Sequence, residues 1–208
     1  MGLLTLLFSN PFAFLLLTIP LLYSIILHEI AHGWVACLFG DDTAKQSGRL
    51  SLNPLVHLDP LGTLLLFIAG FGWARPVPVD YSKMRNFRTG IVCVSLAGCV
   101  TNIIIATIAI SALQFPGVIA HQLLSSTILV IAKINVVLGA LNLIPIPPLD
   151  GSRILLGILP QRAQIALLRI EPYGLVILFG LLFTGLLNPV IMFVQKLIVA
   201  FIRIILRI

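Results

Sequence analysis

Three side chains near the beginning of the chain have the types and spacing that metal-dependent hydrolysis requires. His28, Glu29 and His32 form the pattern HExxH within an otherwise apolar run. On an α-helix, side chains four positions apart lie on the same face, so both imidazoles can bind one Zn²⁺ ion. Glu29 is rotated away by one position and can act on a water molecule instead of binding the metal. The pattern predicts a catalytic zinc site on a helix.

A third ligand is needed, because catalytic zinc sites usually combine three protein ligands with one open position. We expect Asp150 to supply it. This residue follows the proline-rich stretch of the segment NLIPIPPLDG, which cannot continue a regular helix. Irregular backbone at membrane depth is tolerated only where protein buries it or where it lines a wet cavity. An ordinary Asp-Gly turn is the alternative interpretation of Asp150.

Two further candidates, His57 and Asp59, lie in the short motif HLDP. They could form a metal pair, a gate, or a loop held by side-chain hydrogen bonds. Asp-Pro and Asn-Pro sequences in this region are typical of turns. We therefore predict a structural role for both residues and leave them out of the ligand set.

The composition is that of an integral membrane protein. The chain has 208 residues, of which 59% are hydrophobic and 10% are charged, and its mean hydropathy is +1.13. A soluble globular protein has about 25% charged residues. The net charge of +6 comes from basic residues between apolar runs, where positive charge fixes membrane topology. Aromatic and basic residues do not interleave as in binders of single strands, so we exclude nucleic-acid binding.

The apolar runs predict an all-α polytopic membrane protein with about five spans, forming a single membrane domain over residues 1–208. A catalytic core at residues 12–153 would contain three long helices, followed by a C-terminal helical hairpin at residues 174–208. Asn188-Pro189 marks the expected turn of that hairpin, although one kinked helix is the alternative. The expected bounds of the three core helices are 12–39, 90–115 and 123–144.

A shorter apolar stretch, Leu61 to Trp73, lies between the first two spans and is too short to cross a bilayer as a helix. We predict a re-entrant or interfacial segment there. The sequence ARPVPVD that follows favours an extended chain because of its prolines. Together these residues form the expected re-entrant and extended segment of the core.

The basic residues predict the orientation. Nearly all of them fall on one side if the N-terminus is outside and the last block is a hairpin, which places the active site nearer the cytoplasmic side of the cell membrane. Lys133 and Lys196 do not fit, because both lie inside predicted spans. Snorkelling or an interior partner would explain them, and a functional role for Lys133 is the less favoured alternative.

Two motifs together identify a family resemblance. HExxH in an apolar helix, followed about 120 residues later by NLIPIPPLDG, resembles the site-2 protease family of intramembrane zinc metalloproteases. The segment GCVTN resembles the GPxxN-like motif of that family, with cysteine in place of proline. The segments NPLVHLDPLG and GWARPVPVD resemble its short bacterial and archaeal branch, which has no PDZ or CBS domain.

The resemblance implies His28, His32 and Asp150 as ligands of one Zn²⁺ per chain and Glu29 as the general base. Asn142 matches a family asparagine, and the match implies an oxyanion-stabilising or substrate-orienting role; a helix-terminating role is the alternative interpretation. The implied activity is regulated intramembrane proteolysis of single-span membrane proteins, after trimming by an upstream protease.

Two other functional classes remain open at this point. A zinc transporter or metal-binding membrane protein would need the histidines and Asp150 but not Glu29. A structural membrane subunit would use the polar cluster only to pack helices. We also expect the RPVPV stretch to offer one edge for pairing with an extended substrate, since its prolines limit pairing to that edge.

Overall fold

The computed structural model describes residues 3–69 and 72–208. Within these ranges the chain forms α-helices, three short 3-10 helices and no β-strand. The α-helices are, in order, α1 (Leu3–Ser9), α2 (Pro11–Leu38), α3 (Thr43–Gln46), α4 (Pro60–Ala69), α5 (Phe87–Ala112), α6 (Pro116–Ala120), α7 (Gln122–Asn142), α8 (Asp150–Ile158), α9 (Gln161–Ile170), α10 (Gly174–Phe183) and α11 (Asn188–Leu206).

Five helical stretches of the described residues are long and apolar enough to cross a membrane, which confirms the predicted all-α polytopic membrane protein. The three core helices lie within three residues of their expected bounds at each end. The stretches are Pro11–Leu38, Phe87–Ala112, Gln122–Asn142, Gln161–Phe183 and Asn188–Leu206.

The fourth of these stretches begins earlier than the sequence suggests. The expected span begins at Gly174, after Pro172, but α9, a 3-10 turn and α10 follow one another to form Gln161–Phe183. Pro172 lies in the first turn of the 3-10 helix Glu171–Tyr173, where a missing N–H removes no intrahelical hydrogen bond. The proline therefore does not separate the two helices.

The chain breaks again between α10 and α11. Gly185 has φ +72°, a conformation that favours glycine, and the N–H of Leu187 donates to the carbonyl of Leu181. Asn188-Pro189 begins α11 at the expected position. The division of the chain into a core at 12–153 and a hairpin at 174–208 stays a prediction.

Helix α5 is the central element, because it packs against α2, α7 and α8. Small side chains such as Ala106 and Ala140 allow α5 and α7 to approach closely, and Ile202 of α11 is fully buried against them. This packing brings the HExxH helix, the GCVTN helix and the start of α8 into one cluster.

The predicted re-entrant segment includes residues 70 and 71, which lie outside the described residues. The described part contains α4, whose Phe67 packs against Phe14 of α2 with ring centroids 5.9 Å apart. Leu58 and Ala74 form an isolated antiparallel bridge. The two ends of the segment are therefore held together.

Buried polar side chains then fix the proline-rich stretch beside α2. Asp41 is fully buried and accepts a hydrogen bond from the N–H of Asp80 at 2.6 Å. Arg49 is also buried and donates from Nη2 to the carbonyl of Arg75 at 2.6 Å. These contacts hold both ends of the stretch and place Val77 next to the helix that carries HExxH.

Candidate metal centre

Three ligand atoms from two distant parts of the chain meet beside α5. Nε2 of His28 and Nε2 of His32 lie 3.1 Å and 3.2 Å from Oδ2 of Asp150. The two Nε2 atoms are 3.0 Å apart. All three side chains are largely buried. Among residues 3–69 and 72–208, they form the one group of three or more His, Cys, Asp and Glu side chains that could hold a metal ion.

The outer nitrogens of both imidazoles are held by hydrogen-bond acceptors. Nδ1 of His32 lies 2.6 Å from the carbonyl oxygen of Val94, which can only accept, so Nδ1 carries the proton. Nδ1 of His28 lies 2.6 Å from Oδ1 of Asn102. When the imidazoles are neutral, this tautomer leaves each Nε2 with a lone pair that faces Asp150.

A buried chain of amides supports His28 from behind. Nδ2 of Asn102 donates to Oδ1 of Asn135 at 2.8 Å, and Nδ2 of Asn135 donates to Oγ of Ser24 at 2.8 Å and to the carbonyl of Ile131. Both asparagines are fully buried. Both amide NH₂ groups in this series donate away from the metal centre, so Asn102 presents its oxygen to His28. The hydrogen-bonded series also links α2, α5 and α7.

Gly98 allows α5 to pack directly on the two histidines. A Cβ atom at this position would overlap the rings of both His28 and His32. Only a hydrogen atom fits at this position. The motif GCVTN therefore contacts the histidines in two ways, because Gly98 packs on both rings and Asn102 accepts a hydrogen bond from His28.

Asp150 is the first residue of α8, directly after the proline-broken chain. Gly151 packs tightly against the backbone of Leu143 and Ile144, and Oγ of Ser152 donates to the carbonyl of Leu149 at 2.7 Å. Burial opposes ionisation of Asp150, but hydrogen bonds and positive charge from the imidazoles of His28 and His32, where their Nε2 atoms carry a proton, outweigh it and hold the pKa of the carboxyl below its usual range. A cation among these three atoms would favour the carboxylate anion in the same way.

The donor set fits a divalent cation. Two imidazole nitrogens with outward-facing protons and one carboxylate oxygen are the ligand types that Zn²⁺ prefers. Packed within hydrogen-bond distance of one another, three electron-rich atoms repel unless a proton or a cation lies between them. Because the outer proton of each histidine lies on Nδ1, both Nε2 atoms can bind the cation.

Glu29 lies outside this group, as its rotated position on the helix predicts. It is half-buried, and its Oε2 accepts a hydrogen bond from the backbone N–H of Val77 at 2.9 Å. The proline-rich stretch thus contacts the carboxylate that is the candidate general base.

The other candidates make local contacts. Nδ2 of Asn142 donates to the carbonyl of Leu138, in its own helix. His57 is fully buried, with Nε2 2.7 Å from the carbonyl oxygen of Ser51. Asp59 accepts a hydrogen bond from the N–H of Gly62 at the start of α4. These contacts agree with the structural role predicted for His57 and Asp59.

Comparison with known proteins decides the family. Residues 109–185 match the model of peptidase family M50. The chain is 43% identical over 177 residues to "Putative zinc metalloprotease YwhC" of Bacillus subtilis, covering 82% of this chain and 81% of that protein. The chain belongs to peptidase family M50. This membership confirms the resemblance to the site-2 proteases and makes the chain a membrane zinc metalloprotease, with Zn²⁺ as its cofactor.

More distant relatives of this M50 peptidase have similar names. It is 32% identical to "Putative zinc metalloprotease Rip2" of Mycolicibacterium smegmatis, over 84% of this chain and 69% of the relative. It is 30% identical to "Zinc metalloprotease MJ0392" of Methanocaldococcus jannaschii, over 74% of this chain and 37% of the relative. No solved structure matches the chain.

Sequence reasoning did not find several supporting groups of the M50 site. The motif GCVTN contains Gly98 and Asn102, but sequence reasoning placed neither residue against the two histidines, and it missed Asn135 and Ser24. Asn135 lies inside an apolar span, where a polar side chain is costly unless it is satisfied, and this was the available signal. Nothing in the sequence indicates that the carbonyl of Val94 accepts from His32.

Proposed function

We propose that this M50 peptidase cleaves peptide bonds within or near the transmembrane segments of single-span membrane proteins. His28, His32 and Asp150 hold one Zn²⁺ in this proposal, and Glu29 is the general base. The observation that carries it is the convergence of two imidazole nitrogens and one carboxylate oxygen within 4.8 Å, among helices long enough to cross a membrane. A site built at that position favours a substrate that is itself in the membrane.

The zinc ion, when bound, polarises the scissile carbonyl and lowers the pKa of water towards about 7. Glu29 takes a proton from the attacking water and delivers it to the leaving amine. Its half-buried position beside, but outside, the ligand group supports this role. The hydrogen bond from Val77 holds the carboxylate in place before substrate arrives.

The proposed role of Asn142 rests on its position in the chain. It is the last residue of α7, eight positions before Asp150, and its side chain is half-buried. Orientation of the substrate or stabilisation of the oxyanion requires its Nδ2 to leave the carbonyl of Leu138. We retain both roles as proposals for this residue.

The substrate must be extended before it is cut, because a helix hides its backbone. We propose that the stretch Arg75 to Val79 pairs with it along the edge that carries N–H groups. Pro76 and Pro78 have no N–H, so the edge must use Arg75, Val77 and Val79. The N–H of Arg75 donates to the carbonyl of His57, and that of Val77 donates to Glu29. Substrate pairing along this edge therefore requires Arg75 to exchange His57, and Val77 to exchange Glu29, for the substrate.

We also propose a location and a direction. The basic residues support a cell-membrane protein with its N-terminus outside and its active site nearer the cytoplasmic side. A substrate trimmed by an upstream protease would be short enough on the outer side to approach the site. Cleavage of trimmed and untrimmed forms of one substrate tests that order of events.

The decisive experiment compares wild type with Glu29→Gln in a cleavage assay in detergent, using a panel of single-span substrates. Zinc content of both proteins is measured in parallel. The proposal expects cleavage by wild type only, with equal zinc in both proteins. A variant that cleaves like wild type would exclude Glu29 as the base. Zinc flux in vesicles that is unaffected in the variant, together with no cleavage by wild type, would support a transporter instead.

A further inference from the structure

A groove of about 740 Å³ lies between α7 and α11, away from the metal centre. Its lining is apolar except for Gln195 and three cationic side chains, Lys133, Lys196 and Arg203. Lys133 is exposed on α7, and Lys196 and Arg203 are exposed on α11. The two lysines that the topology of the chain leaves unexplained therefore face the same groove.

The placement of the cations along the helices is regular. Lys196 and Arg203 are seven residues apart, so they lie on one face of α11 and about 10 Å apart along its axis. Arg203 is in the last turn of that helix. Lys133 lies about 14 Å before the end of α7 at Asn142. The groove thus has one cation near a helix end and two cations deeper within the spans.

No carboxylate neutralises these cations. All seven Asp and Glu residues of the sequence lie outside residues 87–149 and 172–208, so α5, α7 and α11 contain none. Within the part of the chain that the structure describes, Lys133, Lys196 and Arg203 make no ion pair or side-chain hydrogen bond. Uncompensated charge within a membrane span is costly and repels like charge, so the groove needs an anion from outside the chain.

We propose that this groove binds an anionic phospholipid. Its phosphate would lie between Lys133 and Lys196, and an acyl chain would follow the apolar lining. Arg203, near the end of α11, would attract the headgroup as it enters the groove. Lysine side chains reach several ångströms along an apolar surface to place their ammonium groups at such a site. The groove is open at the surface of two spanning helices, where lipid is the most abundant anion-bearing molecule.

A lipid fits the observations better than a substrate segment does. The groove contains none of His28, Glu29, His32 or Asp150, so a peptide lying in it would not be presented to the metal centre. A free phosphate ion would make no favourable contact with the apolar lining, whereas an acyl chain would bury it. Lipid binding in this groove is independent of the proposed intramembrane cleavage, because it can be measured without a cleavage assay.

The test measures lipid retention by native mass spectrometry of the purified protein in detergent. Phosphatidylglycerol and phosphatidylcholine with identical acyl chains are added in turn. We expect wild type to prefer phosphatidylglycerol, and Lys133→Met/Lys196→Met to lose that preference by about thirtyfold, which is about fivefold for each lysine. The matched control, Arg162→Gln/Arg207→Gln, removes two exposed arginines outside the groove and should keep it.

Other outcomes overturn the proposal. One is an equal preference for phosphatidylglycerol over phosphatidylcholine in wild type and in the lysine variant. Another is a loss of that preference in the arginine control as large as in the lysine variant. Inorganic phosphate that displaces phosphatidylglycerol would show a soluble anion, and displacement by an apolar helical peptide with one glutamate would show a peptide ligand. If the double variant does not fold, Lys196→Gln and Arg203→Gln replace it, each with an expected loss of about fivefold.

Discussion

The backbone N–H of Val77 donates to Oε2 of Glu29 across 2.9 Å, joining a non-helical stretch to the carboxylate next to the two histidines. The preceding residue and the following one are prolines, so Val77 supplies the single N–H between them. Its side chain is 7% exposed and packs against Gly33 of α2. The contact fixes Glu29, and it also occupies the group that substrate pairing would need.

Replacing Val77 by proline removes this N–H, whereas alanine keeps it. We expect Val77→Pro to cleave substrate about 10- to 100-fold more slowly than Val77→Ala, because a hydrogen bond to a charged group contributes about 1.5–3 kcal/mol. Initial rates of both variants at equal zinc content give the measurement. Equal rates would show that the Val77 N–H does not contribute to cleavage, and they would contradict the proposed pairing of this stretch with the substrate.

Asn102→Leu should weaken zinc binding. Without Oδ1 of Asn102, Nδ1 of His28 has no acceptor, and the loss of a group that orients a ligating histidine typically lowers metal affinity by 10- to 100-fold. Competition with a chelator of known affinity measures the change.

The control for that variant is Asn135→Leu, one link further along the buried chain. It leaves the contact between His28 and Asn102 intact but leaves Nδ2 of Asn102 without its acceptor. We expect a loss of about 1–3 kcal/mol in stability with a smaller change in zinc affinity. A larger loss of zinc affinity in Asn135→Leu than in Asn102→Leu would contradict this arrangement, in which Asn102 holds His28 directly and Asn135 acts through Asn102.

Gly98→Ala should damage the metal centre by steric overlap alone. The added Cβ would meet the rings of His28 and His32, and overpacking of this kind costs about 1–3 kcal/mol. We expect lower zinc occupancy and reduced cleavage. The matched control is Gly139→Ala in α7, where the nearest atom to an added Cβ is 3.7 Å away and ordinary contact results. Both variants are compared by metal analysis, and equal occupancy would refute the steric argument.

Much of this architecture is readable from the sequence, because membrane helices need long apolar runs and zinc sites need particular side chains at helical spacing. The HExxH helix and the bounds of the three core helices follow from those two requirements alone. The proximity of Asp150 to His28 and His32 was expected from an incomplete ligand set and a proline-broken segment, and the structure brings the three together.

The supporting contacts depend on tertiary packing, which no local pattern encodes. Gly98 is needed only because α5 crosses the two imidazoles, and the carbonyl of Val94 is an acceptor only in that arrangement. The earlier start of the fourth stretch has a different cause. Pro172 indicates a break when its sequence is considered alone, but the first turn of a 3-10 helix tolerates it.

The assignment of Asp150 rather than Asp59 as the third ligand is tested by alanine at each position. Asp150→Ala removes the one carboxylate within reach of both histidine Nε2 atoms among the described residues, so we expect the purified variant to lose its zinc. Asp59→Ala removes only an acceptor for the N–H of Gly62 at the start of α4. Loss of such a cap costs about 1 kcal/mol, which lowers the thermal midpoint but leaves zinc content unchanged. Zinc per chain and the thermal midpoint are measured on the same preparations. Zinc retained in Asp150→Ala and lost in Asp59→Ala would reverse the assignment, because the metal would then lie with the loop rather than with α8.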